Sequence, residues 1–361
     1  MAVLFGGASR EHEVSCMSAQ HVIAAMDPKK YEVVPIGITR EGRFTLPDAS
    51  RKVLEGGDLG ETLTPPLAEG EVLVISPDPL GQLGPADRAS PVGEFSVDVV
   101  FPVLHGPNGE DGTVQGLLEL ANLPYVGSGV LGSAVGMDKE KMKLLFAAEG
   151  LPTPEFAIVR DYEWKSAAVS ILDQVAAFGF PCFCKPANMG SSVGITKCSD
   201  RASLAAGINA AFEFDRKVVI EEGIDGREIE CGVLGNDHPE ASICGEVLSS
   251  REFYDYEAKY FDESSRTVIP ADVPGPVSDL VRAYAVRAFK AIDAAGFARV
   301  DFFYQEAGRG VIVNEINTIP GFTTISMFPK LWEATGLSYD ALIDRLIELA
   351  LERHRSKRRP V

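Results

Sequence analysis

The sequence lacks a membrane-spanning segment and a secretory signal. No uninterrupted apolar run reaches the ~20 residues that a transmembrane helix needs. The apolar residues 1–5 run straight into Gly6 and Gly7, without the basic flank or the apolar length of a signal peptide. We therefore expect a cytoplasmic protein with no membrane partner.

Basic residues are scarce relative to acidic ones. The chain has 34 Lys and Arg against 52 Asp and Glu, which gives a formal net charge of −18. Such a charge repels a phosphate backbone, so a nucleic-acid partner would need a concentrated basic patch. The basic run at residues 354–359 lies at the C-terminal end and is predicted to be a solvated tail. We expect no nucleic-acid partner.

Two further signatures are missing. The six cysteines are scattered at spacings that match neither a zinc site nor a disulfide framework, so we expect reduced, buried thiols. No Gly-Lys pair occurs anywhere in the sequence, which excludes a Walker-type phosphate loop. Any nucleotide site must therefore be built in another way.

What the sequence does have is a regular alternation of short apolar runs with longer segments of helical period. At 361 residues with 45% apolar content, the chain can bury the cores of two or three domains. Residues 1–127 indicate an open α/β sheet covered by helices, and the residues beyond them indicate α+β units with antiparallel strands. Strands are predicted at 2–5, 31–38, 72–75, 97–104, 156–159, 181–185, 194–197, 217–222, 228–234, 243–248, 299–304 and 311–316. Helices are predicted at 14–26, 138–149, 164–178, 201–214, 277–294 and 337–353, and the polar stretch 249–270 is predicted to be irregular.

The most informative segment is a predicted hairpin between residues 298 and 317. A turn centred near Gly308 would place Asp301 opposite Glu315, and the two-residue period of a strand puts Asn317 on the same face. Carboxylates among apolar strand residues are costly to bury unless a cation neutralises them, and oxygen donors suit Mg²⁺ held with phosphates. The alternative is a salt-bridged sheet face, for which Arg299 is a nearby basic partner.

Two other segments have the composition of a nucleotide site. Residues 185–195 join a strand ending in Lys185 to a loop of small residues, whose N–H groups and hydroxyls could surround phosphate oxygens. A simple hairpin turn would explain the glycines equally well, but not the lysine and the paired serines together. Residues 217–228 place carboxylates and backbone groups at a strand edge, as adenine and ribose would require. Acidic residues in a pattern like that of 217–228 are more often simply exposed to solvent.

The order and content of these segments resemble the ATP-grasp carboxylate–amine ligases, and within them the D-alanine:D-alanine ligase family almost from end to end. The matching motifs lie at residues 6–15, 105–112, 137–139, 190–194, 253–260 and 314–321. The resemblance implies an ATP-grasp fold, with an N-terminal α/β domain at 1–127 and two α+β subdomains, 128–222 and 223–361, that sandwich ATP. It also implies a homodimeric ligase that joins two D-alanines through an acyl phosphate and so supplies peptidoglycan synthesis.

The resemblance assigns residues to the nucleotide and its metal ions. Lys139 and Lys185 would bind the α and β phosphates, and Lys259 would reach the γ-phosphate. The other implied residues are Ser192 in the small-residue loop, Glu221, Glu222, Ile224 and Glu228 around adenine and ribose, and Asp301, Glu315 and Asn317 around two Mg²⁺ or Mn²⁺ ions. Glu222 stands where relatives often carry lysine, which leaves the charge at the adenine edge open.

The same resemblance assigns the substrate and catalytic residues. Glu11 would bind the ammonium group of the first D-alanine, oriented through Ser191 and Tyr260. The other implied residues are Arg299 and the Gly321 backbone N–H at the developing oxyanion, Ser326 and Met327 at the carboxylate of the second D-alanine, and His105 as a candidate for direct substrate contact. The segment 249–270, which carries Lys259 and Tyr260, would be a lid that keeps water from the acyl phosphate.

Three other functions fit parts of the sequence. A D-alanine:D-lactate or D-alanine:D-serine ligase would differ at the second substrate, and Tyr260 and Met327 favour D-alanine there. Residues 127–132 fit the glycine fingerprint of an NAD-dependent oxidoreductase, but the acidic residue expected about twenty positions later would lie on a helix instead of a strand end. A non-catalytic nucleotide-binding protein would lack part of the metal and phosphate set, which is complete here.

Overall fold

The computed structural model describes residues 1–45, 47–55, 73–75, 82–85, 95–177, 179–248 and 266–357. Its strands are β1 Ala2–Gly6, β2 Val34–Ile38, β3 Leu73–Ile75, β4 Gln82–Pro85, β5 Phe95–Ser96, β6 Val100–Val103, β7 Phe156–Arg160, β8 Cys182–Pro186, β9 Thr196–Cys198, β10 Lys217–Glu222, β11 Arg227–Gly235, β12 Glu240–Leu248, β13 Arg266–Val268, β14 Gly296–Gln305 and β15 Gly310–Asn317. Its helices are α1 His12–Ala25, α2 Pro47–Glu55, α3 Thr113–Leu120, α4 Val130–Met137, α5 Lys139–Ala148, α6 Asp161–Ala176, α7 Arg201–Ala211, α8 Gly275–Ala291, α9 Met327–Thr335 and α10 Tyr339–Lys357.

The N-terminal sheet is parallel, with strand order β2-β1-β6. Every residue of β1 and of β6 is buried, which is why both strands are continuous apolar runs without alternation. The expectation that residues 72–75 belong to this sheet is wrong. Strand β3 instead pairs antiparallel with β4, and β4 pairs with β5, in a separate sheet. Antiparallel strands close in sequence can pair through a short connection, whereas joining the parallel sheet would require a crossover.

The central sheet is antiparallel, with strand order β7-β10-β8-β9. Helices α6 and α7 pack on one of its faces. Cys182, Cys184 and Cys198 lie in this core, and all six cysteines of the chain are buried and free of disulfide bonds, as predicted. Strand β8 ends next to the small-residue loop, so the sheet fixes where that loop begins.

The C-terminal sheet is also antiparallel, with strand order β13-β12-β11-β14-β15. Helix α8 covers one face, where Ala285 and Phe289 meet Val300, and helix α9 lies on the other face, where Trp332 and Phe328 contact Gly232. The prediction that the whole of 249–270 is irregular is wrong at its C-terminal end, because β13 pairs with the end of β12. Residues 249–265 lie outside the described residues.

Two helical segments pack on cores that are distant from them in the sequence. Met142 and Phe146 of α5 are fully buried in the core of the C-terminal sheet. Leu342 and Ile343 of α10 are buried in the same cluster as Phe5 of the N-terminal sheet. Within the described part of the chain, no helix is both long enough and apolar enough to cross a bilayer.

Candidate active site

A cleft lies between the central and C-terminal sheets and is lined by residues of both, together with α4 and α5. Its open space is about 1420 Å³, a volume that includes the solvent at its mouth. The sequence-predicted residues that line it are Lys139, Lys185, Ser191, Ser192, Glu221, Glu222, Ile224, Glu228, Asp301, Glu315 and Asn317. These residues come from five separate segments of the sequence and meet in one place.

The hairpin β14–β15 presents the predicted metal ligands on one face. Asp301 is the register partner of Glu315, and Arg299 is the partner of Asn317, so the predicted pairing is confirmed. Asn317 Nδ2 donates to Asp301 Oδ2 at 2.9 Å, and Glu315 Oε2 lies 3.9 Å from Lys139 Nζ. The three side chains converge on the cleft and offer carboxylate and amide oxygens, the donor set that suits Mg²⁺ or Mn²⁺.

Arg299 is held by two carboxylates beside the predicted metal ligands. Its Nε donates to Asp301 Oδ1 at 2.7 Å and its Nη2 donates to Asp301 Oδ2 at 2.8 Å, while Nε also lies 2.9 Å from Glu230 Oε2. The salt-bridged sheet face that the sequence left open is therefore present. Three carboxylates therefore meet on this sheet face: Arg299 contacts those of Asp301 and Glu230, and Lys139 lies 3.9 Å from that of Glu315.

Glu221 is buried between two lysines at the floor of the cleft. Its Oε2 accepts from Lys185 Nζ at 2.7 Å, and its Oε1 forms an ion pair with Lys143 Nζ at 3.1 Å. Burial acts against ionisation, but the two ammonium groups outweigh it and lower the pKa of Glu221 to about 2. Sequence reasoning missed Lys143, although its position four residues after Lys139 places both lysines on one face of α5.

The small-residue loop connects β8 and β9 and contacts groups on both sides of the cleft. Ser191 and Ser192 have φ values of 47° and 59°, a left-handed conformation that non-glycine residues rarely adopt and that often marks a functional loop. Ser191 Oγ donates to Glu11 Oε1, and Lys139 Nζ donates to the Met189 carbonyl at 2.7 Å. The loop is therefore tied to Glu11 on one side and to Lys139 on the other.

The predicted substrate residues are only partly brought together. Glu11 is buried beside Gly190 and Gly106, within reach of the cleft. His105 Nδ1 lies 3.0 Å from the Ile319 carbonyl, two residues before Gly321. Ser326 Oγ bonds to Thr323, and Met327 is buried in an apolar cluster with Val247 and Leu331, so neither of these two lines the cleft. Lys259 and Tyr260 lie outside the described residues.

Two further acidic residues line the cleft that sequence reasoning did not single out. Glu110 accepts from the Gly106 N–H at 2.6 Å, and its place inside the motif at 105–112 was the available signal. Glu230 is the register partner of Asp301 on the neighbouring strand β11. Nothing in its local sequence marks it, because only the pairing of β11 with β14 brings it to Arg299.

The glycine fingerprint at residues 127–132 is occupied by protein groups. A Cβ added at Gly132 would lie 2.7 Å from the Asp293 carbonyl oxygen, and one added at Gly129 would lie 3.1 Å from Arg353 Nη1. These glycines permit close packing of helix α4 against neighbouring segments.

Two family models match the chain one after the other. The model for the D-ala D-ala ligase N-terminus matches residues 1–128, and the model for the D-ala D-ala ligase C-terminus matches residues 145–348. Together they span most of the chain, and residues 129–144, which include Lys139 of the cleft, lie between the two matches.

Individual relatives agree with these matches. The D-alanine–D-alanine ligase of Geobacillus kaustophilus (strain HTA426) is 50% identical over 99% of this chain and 96% of the relative. That of Thermoanaerobacter sp. (strain X514) is 49% identical over 99% of this chain and 98% of the relative. Among solved structures, the VanG D-Ala:D-Ser ligase from Enterococcus faecalis has a TM-score of 0.84 at 37% identity, covering 97% of this chain and 98% of that one. The D-alanine–D-alanine ligase from Coxiella burnetii has a TM-score of 0.80 at 35% identity, covering 99% and 94%.

Proposed function

The chain belongs to the D-alanine–D-alanine ligase family, and on that premise we propose how its residues carry out the family's reaction. It is an ATP-dependent ligase with the ATP-grasp fold, and it joins two D-alanines to the dipeptide used in peptidoglycan synthesis. One observation carries this conclusion. About half of the residues of this chain are identical to those of proteins named D-alanine–D-alanine ligase, over almost the full length of both chains.

We propose that ATP lies in the cleft with its phosphates toward Lys139, Lys185 and the small-residue loop. Both lysines line the cleft, and so does Ser192 of the small-residue loop. The adenine and ribose would lie at the other end, along Glu222, Ile224 and Glu228. The carboxylate of Glu221 is already shared by two lysines, so its contribution to adenine would come from its backbone.

We propose that Asp301, Glu315 and Asn317 hold two Mg²⁺ or Mn²⁺ ions beside the phosphates. The donor set supports the assignment, because two carboxylates and an amide from adjoining strands converge on the cleft. When bound, the metal ions would offset the charge that develops on the transferred phosphoryl group. In this structure Asp301 contacts Arg299, and Glu315 lies 3.9 Å from Lys139.

We propose that Glu11 binds the ammonium group of the first D-alanine, with Ser191 fixing the orientation of its carboxylate. The carboxylate of that D-alanine attacks the γ-phosphorus of ATP, ADP leaves, and an acyl phosphate forms. The amine of the second D-alanine then attacks the acyl carbon and phosphate leaves. Arg299 and the Gly321 N–H would stabilise the tetrahedral oxyanion between these events. Lys259 would reach the γ-phosphate, Tyr260 would help Ser191 to orient Glu11, and the segment 249–270 would exclude water as a lid.

The second substrate is D-alanine, and we propose that Ser326 and Met327 lie near its carboxylate, with His105 able to contact substrate. The likeness to a D-Ala:D-Ser ligase keeps D-serine as the alternative to test. The experiment is phosphate release with D-alanine, L-alanine, D-lactate or D-serine, with each product identified by mass. Amide formation from D-alanine alone is expected. A dominant mixed product with D-serine or D-lactate would contradict the assignment of the second site.

We also propose a cytoplasmic homodimer with domains at 1–127, 128–222 and 223–361. The free, buried thiols suit a reducing compartment, and homodimers are expected from the family resemblance. The packing of α5 on the C-terminal sheet and of α10 on the N-terminal core implies that the three domains share helices across their borders. Light scattering coupled to size-exclusion chromatography would test the dimer.

A further inference from the structure

Lys143 lies beneath the floor of the active-site cleft, where its side chain is only 1% exposed. Its Nζ lies 3.1 Å from Glu221 Oε1 and donates to the Asn314 carbonyl at 3.1 Å. The second carboxylate oxygen of Glu221 accepts from Lys185 Nζ at 2.7 Å. One ammonium group therefore connects helix α5, strand β10 and strand β15, which all contribute to the cleft.

Packing alone does not explain a lysine at this position. Burying an ion pair costs desolvation free energy that the attraction repays only in part, and apolar residues of similar size are often at least as stable. On the same helix, Met142 and Phe146 show that apolar side chains fill this region without difficulty, because both are fully buried. The charge at residue 143 therefore indicates a role in the site.

The charge balance of the three groups indicates what that role is. Glu221 is shared by two ammonium groups, so the triad of Lys143, Glu221 and Lys185 counts two cations against one anion, while Glu228 and Glu315 also act on Lys185. Lys185 lines the cleft, whereas Lys143 lies behind it, so the excess charge acts on the cleft through Lys185. Without Lys143, Glu221 would neutralise Lys185 by itself, and the attraction of this site for a phosphate would fall.

We propose that Lys143 is a positioning residue of the nucleotide site, which balances the charge of Glu221 so that Lys185 stays available to a phosphate group. It also holds the backbone of Asn314, the residue next to the candidate metal ligand Glu315. Lys143 itself does not touch the nucleotide. The inference rests on the proposed function, because it requires phosphate groups to lie against Lys185.

The test compares Lys143→Met and the double variant Lys143→Met/Glu221→Gln with the wild type. Titration calorimetry gives Kd for Mg·ADP, and steady-state rates give separate KM values for ATP and D-alanine. In Lys143→Met, Kd for Mg·ADP and KM for ATP should rise about tenfold, the change that accompanies loss of one charge-assisted contact, while KM for D-alanine stays unchanged. The double variant restores one net positive charge and should recover most of the affinity for Mg·ADP. The control is Lys141→Met on the same helix, whose side chain is 54% exposed, and it should behave as the wild type.

Binding of Mg·ADP to the wild type tests the proposed function, and the variants test the role of Lys143. A wild type that binds no Mg·ADP would count against the function itself. With a binding wild type, an equal rise in both KM values would overturn the role of Lys143, and so would a double variant that binds no better than the single one. If Lys143 only filled space, removing the Glu221 carboxylate would not restore the affinity for Mg·ADP. If Lys143→Met is recovered only unfolded, the double variant carries the test, since it also removes the Glu221 carboxylate that lost its contact with Lys143. A double variant that also unfolds, or that binds Mg·ADP much more weakly than the wild type, would overturn the inference as well.

Discussion

Glu230 offers a direct test of how the proposed oxyanion residue is held in place. Its carboxylate lies 2.9 Å from Arg299 Nε, on strand β11 across from Asp301. The substitution Glu230→Gln keeps the shape of the side chain and one acceptor oxygen but removes the charge. Arg299 then keeps Asp301 as an ionic partner, and Asp301 is also a proposed metal ligand.

The size of the effect follows from the contacts that remain. A hydrogen bond to a charged group contributes about 1.5–3 kcal/mol. Arg299 keeps both of its bonds to Asp301, so we expect a loss near the lower end of that range. A loss of ~2 kcal/mol in transition-state stabilisation corresponds to roughly a 30-fold lower kcat/KM. Because the Arg299 guanidinium group would interact more strongly with Asp301, it would compete with Mg²⁺ for that carboxylate. Half-maximal activity should therefore require a higher Mg²⁺ concentration.

The assay is the initial rate of phosphate release across an Mg²⁺ titration, with thermal unfolding measured on the same preparations. The matched control is Glu306→Gln, an exposed residue in the turn between β14 and β15 that should leave both curves unchanged. If Glu230→Gln folds as the wild type does and has the same kcat/KM and Mg²⁺ dependence, then Glu230 does not hold Arg299 for catalysis.

The remaining predictions concern the contact between a serine and a glutamate, acid stability and the glycine motif. Ser191→Ala removes the hydroxyl that orients Glu11, so KM for D-alanine should rise about tenfold while KM for ATP does not change; equal rises in both would refute the assignment. The pKa of Glu221 is about 2 in the folded chain against an ordinary 4.5, so its contribution to the free energy of unfolding is complete above pH 4.5 and is lost as the pH falls toward 2. Urea unfolding across that window should show a shallower pH dependence for Glu221→Gln than for the wild type, and identical slopes would contradict it. Gly132→Ala would place a Cβ 2.7 Å from the Asp293 carbonyl oxygen, and the free energy of unfolding should fall by about 1–3 kcal/mol; an unchanged value in urea denaturation would mean that the close packing at this glycine is not needed.

Some of the site could be predicted from the sequence because its geometry is local. In the hairpin β14–β15, the alternation of side chains and the position of the turn together determine which residues face each other, so Asp301 lies opposite Glu315. The same applies to Lys185, which ends a strand and is followed at once by the small-residue loop. Residue type, strand period and a few intervening residues were sufficient in both cases.

Strand partners were predicted less well, because a short apolar run does not specify its neighbour. Residues 72–75 have the composition of a strand in a parallel sheet, yet β3 pairs with β4 in a separate antiparallel sheet. Strand β13 is too short and too polar to stand out, and it forms because the end of β12 offers it an unpaired edge. In both places the deciding factor is the availability of a partner strand.

The sequence by itself determined the alternating elements, the acidic hairpin, the lysine beside the small-residue loop and the family motifs, since each of these depends on residues within a short stretch of chain. Only the tertiary structure decided which charges meet. Ser191 and Glu11 are 180 positions apart, and Lys143 and Asn314 are 171 positions apart. Whether a buried lysine or glutamate is paired, and therefore whether its charge is available to a ligand, depends on which distant strand packs beside it. That packing is set by the whole core and not by the neighbours of the residue in the sequence.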